Sequence, residues 1–254
     1  MSFLNVTDYN ANEAVDKDVV GGGSFKLLPS NIYDFTINHA YFSKSAKSES
    51  KSLVLELESE ATGKRRFTLW VTNKNGQIKT KNDKGELKYV AGFLLADALC
   101  LLTVGKPLVE IDKLAEKKTI MLYNWEAKAE VATDVLMLMP LIKQKIKAAV
   151  LERISNKQTQ NQSTGKWEDT ADKRSSNEIV KFLRHRDDLT VNEIRARSDK
   201  PKFRDDWLAQ WEGKADDRYK EVAGPAGTAG APGGAFAGGA EPAGTTGDQD
   251  NLFM

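Results

Sequence analysis

Two stretches, LVLELESEATGKRRFTLWV at residues 53–71 and VAGFLLADALCLLTV at residues 90–104, decide how this chain folds. In the first, Leu53, Leu55 and Leu57 alternate with Glu56 and Glu58. Thr62 and Gly63 then supply a turn, after which Phe67, Leu69 and Val71 share one face while Arg66, Thr68, Trp70 and Thr72 share the other. A period of two on both sides of a turn predicts strands that each carry one apolar face. The second stretch is broken mainly by Asp97 and Thr103 and closed by Gly105 and Pro107. It falls short of the roughly 20 residues that cross a bilayer, so it predicts a helix buried against the sheet, not a membrane segment.

Outward from these, Tyr33, Phe35, Ile37, His39 and Tyr41 alternate with Asp34, Thr36 and Asn38 and predict an earlier strand, which follows a glycine hinge at Gly21, Gly22 and Gly23. Residues 73–88 are polar, lysine-rich and punctuated by Gly76 and Gly85, as in a long exposed loop or hairpin. Further strands are expected at 119–125, 135–139, 145–153 and 178–183, with a polar excursion around Gly165 between the last two. Thr190 and Glu193 have capping-box spacing for a short helix, and 203–211 reads as another, with Trp207 and Trp211 anchoring it to the body. The order is three strands, a helix, more strands and small terminal helices. That is the order of a five-stranded oligonucleotide/oligosaccharide-binding (OB) barrel, in which a helix sits between the third and fourth strands. The expected fold is therefore mainly β with a few helices, an OB-fold-like barrel of β-β-β-α-β-β order with added hairpins. Which later segments form its fourth and fifth strands stays open.

The chain has 254 residues, with 37 Lys plus Arg against 36 Asp plus Glu, one Cys and two His. At 40% hydrophobic and 29% charged residues it has the composition of a globular protein. The single cysteine forms no intrachain disulfide or cysteine-based zinc site, and two histidines make no histidine-rich centre, so no metal or other cofactor is expected. A reducing, cytosolic setting fits this usage. Residues 1–23 read as a polar, acidic arm without the pattern of a signal peptide, and 24–222 as the folded body. Residues 223–254 hold 9 Gly, 8 Ala and 3 Pro, no Lys or Arg, and three acids, so the rest of the chain carries +4. Too little apolar bulk is present there to repay ordering, and the expectation is a disordered tail. It ends in DQDNLFM, where two aspartates precede Leu252, Phe253 and Met254.

No catalytic constellation is legible, and an enzyme is not expected. Cys100 lies inside the apolar helix, where a thiol is an inert small hydrophobe. Asp187 with Asp188, and Asp169 with Asp172, keep a metal-dependent nuclease open as an alternative, although such pairs in polar loops are mostly solvated. An adaptor that binds proteins and no nucleic acid is the other alternative. Binding chemistry is richer, because single strands are held by basic grooves lined with aromatic platforms. Trp70 shares its strand face with Arg66. The loop after it carries Lys74 and Lys88. Residues 143–204 hold 16 Lys or Arg against 9 acids, and among them Arg153, Lys157, Trp167, Lys173, Arg174, Lys181, Arg184 and Arg186 would come onto neighbouring strands if a hairpin forms around Gly165.

The basic strand-rich body, the tether GPAGTAGAPGGAFAGGAEPAGTTG and the tip DQDNLFM together resemble single-stranded-DNA-binding proteins of bacteria and tailed phages. The tip departs from the bacterial pattern of several aspartates and a Pro-Phe end: Leu252 stands in place of the proline and Met254 follows Phe253. The resemblance implies binding and protection of single-stranded DNA without strong sequence preference during replication, recombination and repair. It also implies an acidic tip that recruits a polymerase, helicase or primase and can compete with DNA for the groove. Asp248, Asp250 and Phe253, with Leu252 beside them, map onto that tip; a homodimer is compatible, and no membrane partner is expected. A phenyl ring at a polar chain end gains burial only in a partner's pocket, with Asp248 and Asp250 meeting cations at its rim. A pull-down of host replication proteins is expected to succeed with the intact chain and fail with Phe253→Ala; equal retention by both would sink the anchor role.

Overall fold

The computed structural model describes residues 27–124 and 127–222. The acidic arm, the glycine hinge and the tail with Asp248, Asp250, Leu252 and Phe253 lie outside them. The chain opens with a three-stranded meander, β1 (Asn31–Lys44), β2 (Lys51–Ser59) and β3 (Gly63–Trp70). A small hairpin follows, β4 (Lys79–Lys81) and β5 (Leu87–Tyr89), then helix α1 (Ala91–Thr103) and the short α2 (Leu108–Ile111). A second hairpin pairs β6 (Glu116–Asn124) with β7 (Ala129–Met137), and a third pairs two much longer strands, β8 (Lys145–Gln160) and β9 (Trp167–Arg184). Helices α3 (Val191–Arg195) and α4 (Lys202–Trp211) and a short strand β10 (Ala215–Asp217) end it. The protein is thus mainly β with a few helices, as expected.

The main core lies between the meander and α1. Leu53, Leu55 and Leu57 of β2 and Phe67 and Leu69 of β3 meet Phe93, Ala96, Leu99 and Cys100 there. Burial of these apolar faces removes surface from water at about 25 cal/mol per Å², the main favourable term in folding. A separate cluster holds α4 against the opposite side of β8 and β9, with Trp207 only 7% exposed beside Ala149, Leu151 and Leu183. The capping box of α3 is present, and Glu193 also accepts the backbone N–H of Phe203, which ties α3 to α4.

Strand β1 departs from its sequence reading. Phe35 and Ile37 face the main core, but the pairing with β2 shifts between Ile37 and His39, and beyond the shift Ala40 and Phe42 face that core instead. Tyr41 joins Val54, Val135 and Met137 in a second cluster on the other face of the sheet. A bulge of one residue inverts every later side chain, so the single alternation from Tyr33 to Tyr41 does not hold. The bulge also lets one strand edge serve two partners: Asn31 to Thr36 pair with β8, while Tyr41 and Phe42 pair with β7.

No barrel closes among the described residues. Strand β3 pairs with β2 alone and β9 with β8 alone, while α1 packs on both β3 and β9 between them. Its seat is close: a Cβ placed on Gly92 would stand 2.2 Å from the carbonyl oxygen of Trp70 and 2.9 Å from its nitrogen. Backbone meets backbone there, so no side-chain rotation relieves the clash. Gly92→Ala gains roughly 1 kcal/mol of helix propensity and loses more through forced displacement, which typically costs 1–3 kcal/mol or above at so short a distance. A net destabilisation of about 1 kcal/mol is expected from the central values of these terms, read from the urea midpoint; a variant as stable as the parent would show that the helix seat is loose.

Candidate nucleic-acid interface

Because β3 alternates, Lys64, Arg66, Thr68 and Trp70 form one row on its outer face, and all four are exposed. Trp70 is 49% exposed, a large fraction for the residue type that most rewards burial. Opposite this row on β2 stand Glu58, Glu56, Val54 and Ser52. Glu56 lies 3.3 Å from His39 Nδ1 and 3.9 Å from Arg66 Nη2. The β6–β7 hairpin leans over β1 and β2 through the Tyr41, Val54, Val135 and Met137 cluster. It thereby raises a wall, and a cleft of about 540 Å³ runs between that wall and the meander. Ile120, Met137, Met139 and Ile142 give the cleft its apolar lining, while Asn38, Glu56 and Glu58 bring polar groups and Lys64, Lys118 and Lys143 bring cations.

Sequence reading missed most of this cleft. Asn38 is the bulged residue of β1 and donates to Glu58 Oε2 at 2.6 Å. Lys143 lies where the chain crosses from β7 to β8; its φ is +66°, left-handed for a non-glycine residue, and its amine is 3.4 Å from Asn38 Oδ1. Its backbone N–H donates to the Ile37 carbonyl at 2.8 Å, which fixes that turn on the bulge. One signal was available: in TINHAYF, Ala40, Tyr41 and Phe42 are three consecutive apolar residues, which a regular alternation does not produce.

The hairpin around Gly165 forms, and it is far longer than the two expected strands. Its 18-residue second strand amounts to roughly 60 Å of extended chain at 3.3 Å per residue. Toward its tip it is held by polar cross-strand bonds, such as Gln158 to Asp169 at 2.9 Å and Thr170 to the Lys157 carbonyl at 2.8 Å. Trp167 lies beside the tip at 48% exposure, and Lys157 and Arg174 are exposed along the arm. The remaining cations differ. Arg153 is engaged by Glu178 and by Asp216 at 3.2 Å, and Arg184 forms a forked pair with Asp187 at 2.9 and 2.6 Å. Lys173 sits 4.7 Å over the Tyr219 ring and 3.9 Å from Asp217, Lys181 5.6 Å over Phe203, and Arg186 3.6 Å from Asp187. Lys74 is exposed in the loop after β3, and Lys88 is exposed on β5 with Glu86 at 3.7 Å. The local excess of positive charge is therefore partly absorbed in structural pairs at the base of the arm. The structure brings Arg66 and Trp70 into one row, and Lys157, Trp167, Lys173 and Arg174 onto one arm, on strands that do not pair with β3.

Of the aspartates held open for a metal, Asp187 and Asp188 are occupied. Asp187 binds Arg184, and Asp188 accepts from Lys147 at 2.5 Å and Arg204 at 2.8 Å. Cys100 is fully buried, and burial pushes its thiol up to about 12. Burial likewise pushes the Asp188 carboxyl up, but the Lys147 and Arg204 bonds outweigh it and hold the group below the usual carboxylate range. A carboxyl lowered in the folded state stabilises fully above its unfolded value near 3.9, and that contribution is lost as pH falls through the folded value. Asp188 has φ +63°, which asparagine also tolerates. Asp188→Asn is expected to lose about 2 kcal/mol of stability at neutral pH, with the two proteins converging as pH drops below about 3.9; a difference independent of pH in urea unfolding would refute the charge-pair account.

Neither a protein-family model nor a curated protein matches this chain.

Proposed function

We propose that this protein binds single-stranded DNA with little sequence preference and without turnover, in the groove between the outer face of β3 and the β6–β7 hairpin. The carrying observation is the half-exposed Trp70 at the end of a row with Arg66 and Lys64. An indole beside cations is what a base and its phosphate need, since every base offers a π-face and every nucleotide a charge. The topology supports an open OB-like barrel, with β8 on β1 as the fourth strand and β9 on β8 as the fifth. The exposed Trp167, Lys157 and Arg174 extend the binding surface along the arm. Such a protein covers single strands exposed in replication, recombination and repair, and its acidic tip recruits partner proteins.

Tryptophan fluorescence titrated with single- and double-stranded oligonucleotides at two salt concentrations tests the reading. Single strands are expected to bind more tightly, with affinity falling steeply in salt as counterions are released. Trp70→Ala is expected to lose about 1–3 kcal/mol with the salt slope retained, and Arg66→Ala to lower that slope by about one. Normal binding by a folded Trp70→Ala variant would remove Trp70 from the interface, and salt-independent affinity would remove the phosphate contacts.

A further inference from the structure

We propose that the cleft at the β1 bulge is a base-selective subsite that prefers guanine at one position of the bound strand, an inference that rests on the single-strand reading above. The polar groups of the cleft are ordered in space. Lys143 Nζ lies 3.4 Å from Asn38 Oδ1, and Asn38 Nδ2 donates to Glu58 Oε2 at 2.6 Å, so a cation, an amide and a carboxylate follow one another. Glu56 already faces His39 and Arg66, whereas Glu58 meets no cation within ion-pair distance among the described residues. A carboxylate offers two acceptors and an ammonium offers only donors. Guanine alone presents two adjacent donors, N1–H and the N2 amine, next to an acceptor, O6. Thymine has a single donor, while adenine and cytosine each have one amine beside an acceptor that a carboxylate repels. With N1–H and N2 on Glu58 and O6 toward Lys143, every polar atom of the guanine edge is met.

The surroundings fit the same orientation. The lining of Ile120, Met137, Met139 and Ile142 accepts a flat apolar ring. Glu58, Lys64 and Lys118 are exposed and Glu56 is half-buried, with Lys118 2.8 Å from Glu116; the two cleft carboxylates repel phosphate while Lys64 and Lys118 attract it, so a bound strand is expected to turn its bases toward the carboxylates and its backbone toward the lysines. Two backbone irregularities meet there, the bulge that redirects Asn38 and the left-handed Lys143. Conformations of this kind persist where the surroundings over-determine them, and they cluster at ligand sites.

The test titrates the full chain with a labelled thymine oligonucleotide and with three versions whose central base is guanine, adenine or cytosine. The guanine version is expected to bind about fivefold tighter than the thymine reference, the low end of what one bidentate base contact discriminates in a solvent-open cleft. In Glu58→Gln the guanine-to-thymine ratio should fall to about one, because a single carboxamide oxygen cannot accept both donors. Lys143→Met, which keeps the stem and the backbone demand, should lower the ratio partway. Equal affinity for all four strands, preference for another base, or a ratio unchanged in Glu58→Gln overturns the subsite while leaving single-strand binding standing. Absence of binding to any of the four overturns the single-strand reading and the subsite together.

Discussion

The exchange of partners along β1 is the constraint on which the rest depends. One edge of this strand is given to β2, and the other is divided, first to β8 and then to β7. A straight, regular strand cannot keep one apolar face over both halves, because the two halves cover different clusters. The extra residue at Asn38 resolves this by inverting the second half, so Tyr41 caps the outer cluster while Ala40 and Phe42 stay with the core. The β6–β7 hairpin then has a seat on the outer face of the sheet. Without that seat the β3 row would be one side of an open sheet; with it, the row becomes one side of a groove.

The electrostatics follow from the same arrangement. Charges near the base of the long hairpin, such as Arg153, Arg184, Lys147 and Asp188, are drawn into pairs that hold β8, β9, α4 and β10 together. At the groove and along the distal arm, Lys64, Lys157 and Arg174 are exposed. Location, more than residue type, separates the paired cations from the exposed ones. Net charge is a poor guide for the same reason, since a single sum mixes both populations.

Much of the fold was legible in the sequence because period-two alternation and one apolar helix are strong local signals. The strands around Leu53–Leu57 and Phe67–Val71, the α1 helix, the α3 cap and the Trp207 anchor all rest on such signals. The bulge left one faint mark: a regular period continued from Phe35 through His39 to Tyr41, and only the apolar run Ala40, Tyr41 and Phe42 departs from it. The distal arm was hidden for another reason: both its faces meet water, so no apolar period marks its strands, and cross-strand bonds such as Gln158 to Asp169 exist only after pairing. Arg66 and Trp70 could be proposed from one strand. Asn38, Glu58 and Lys143 could not, because their proximity joins residues over 100 positions apart.

Both ends of the described body are fastened to the same long hairpin. Asn177 on β9 holds the N–H and carbonyl of Leu28, at 2.8 and 2.7 Å, and Asn156 on β8 holds those of Lys220, at 2.9 and 2.7 Å. Strand β10 runs parallel to β8 just before that second clasp, with the Arg218 N–H on the Ile154 carbonyl. Tension entering at Val222 along the strand direction would therefore load the β10 ladder and the asparagine clasp in shear, all bonds at once, instead of peeling them singly. A pull on that end would thus move the body as one unit before it unravelled the sheet.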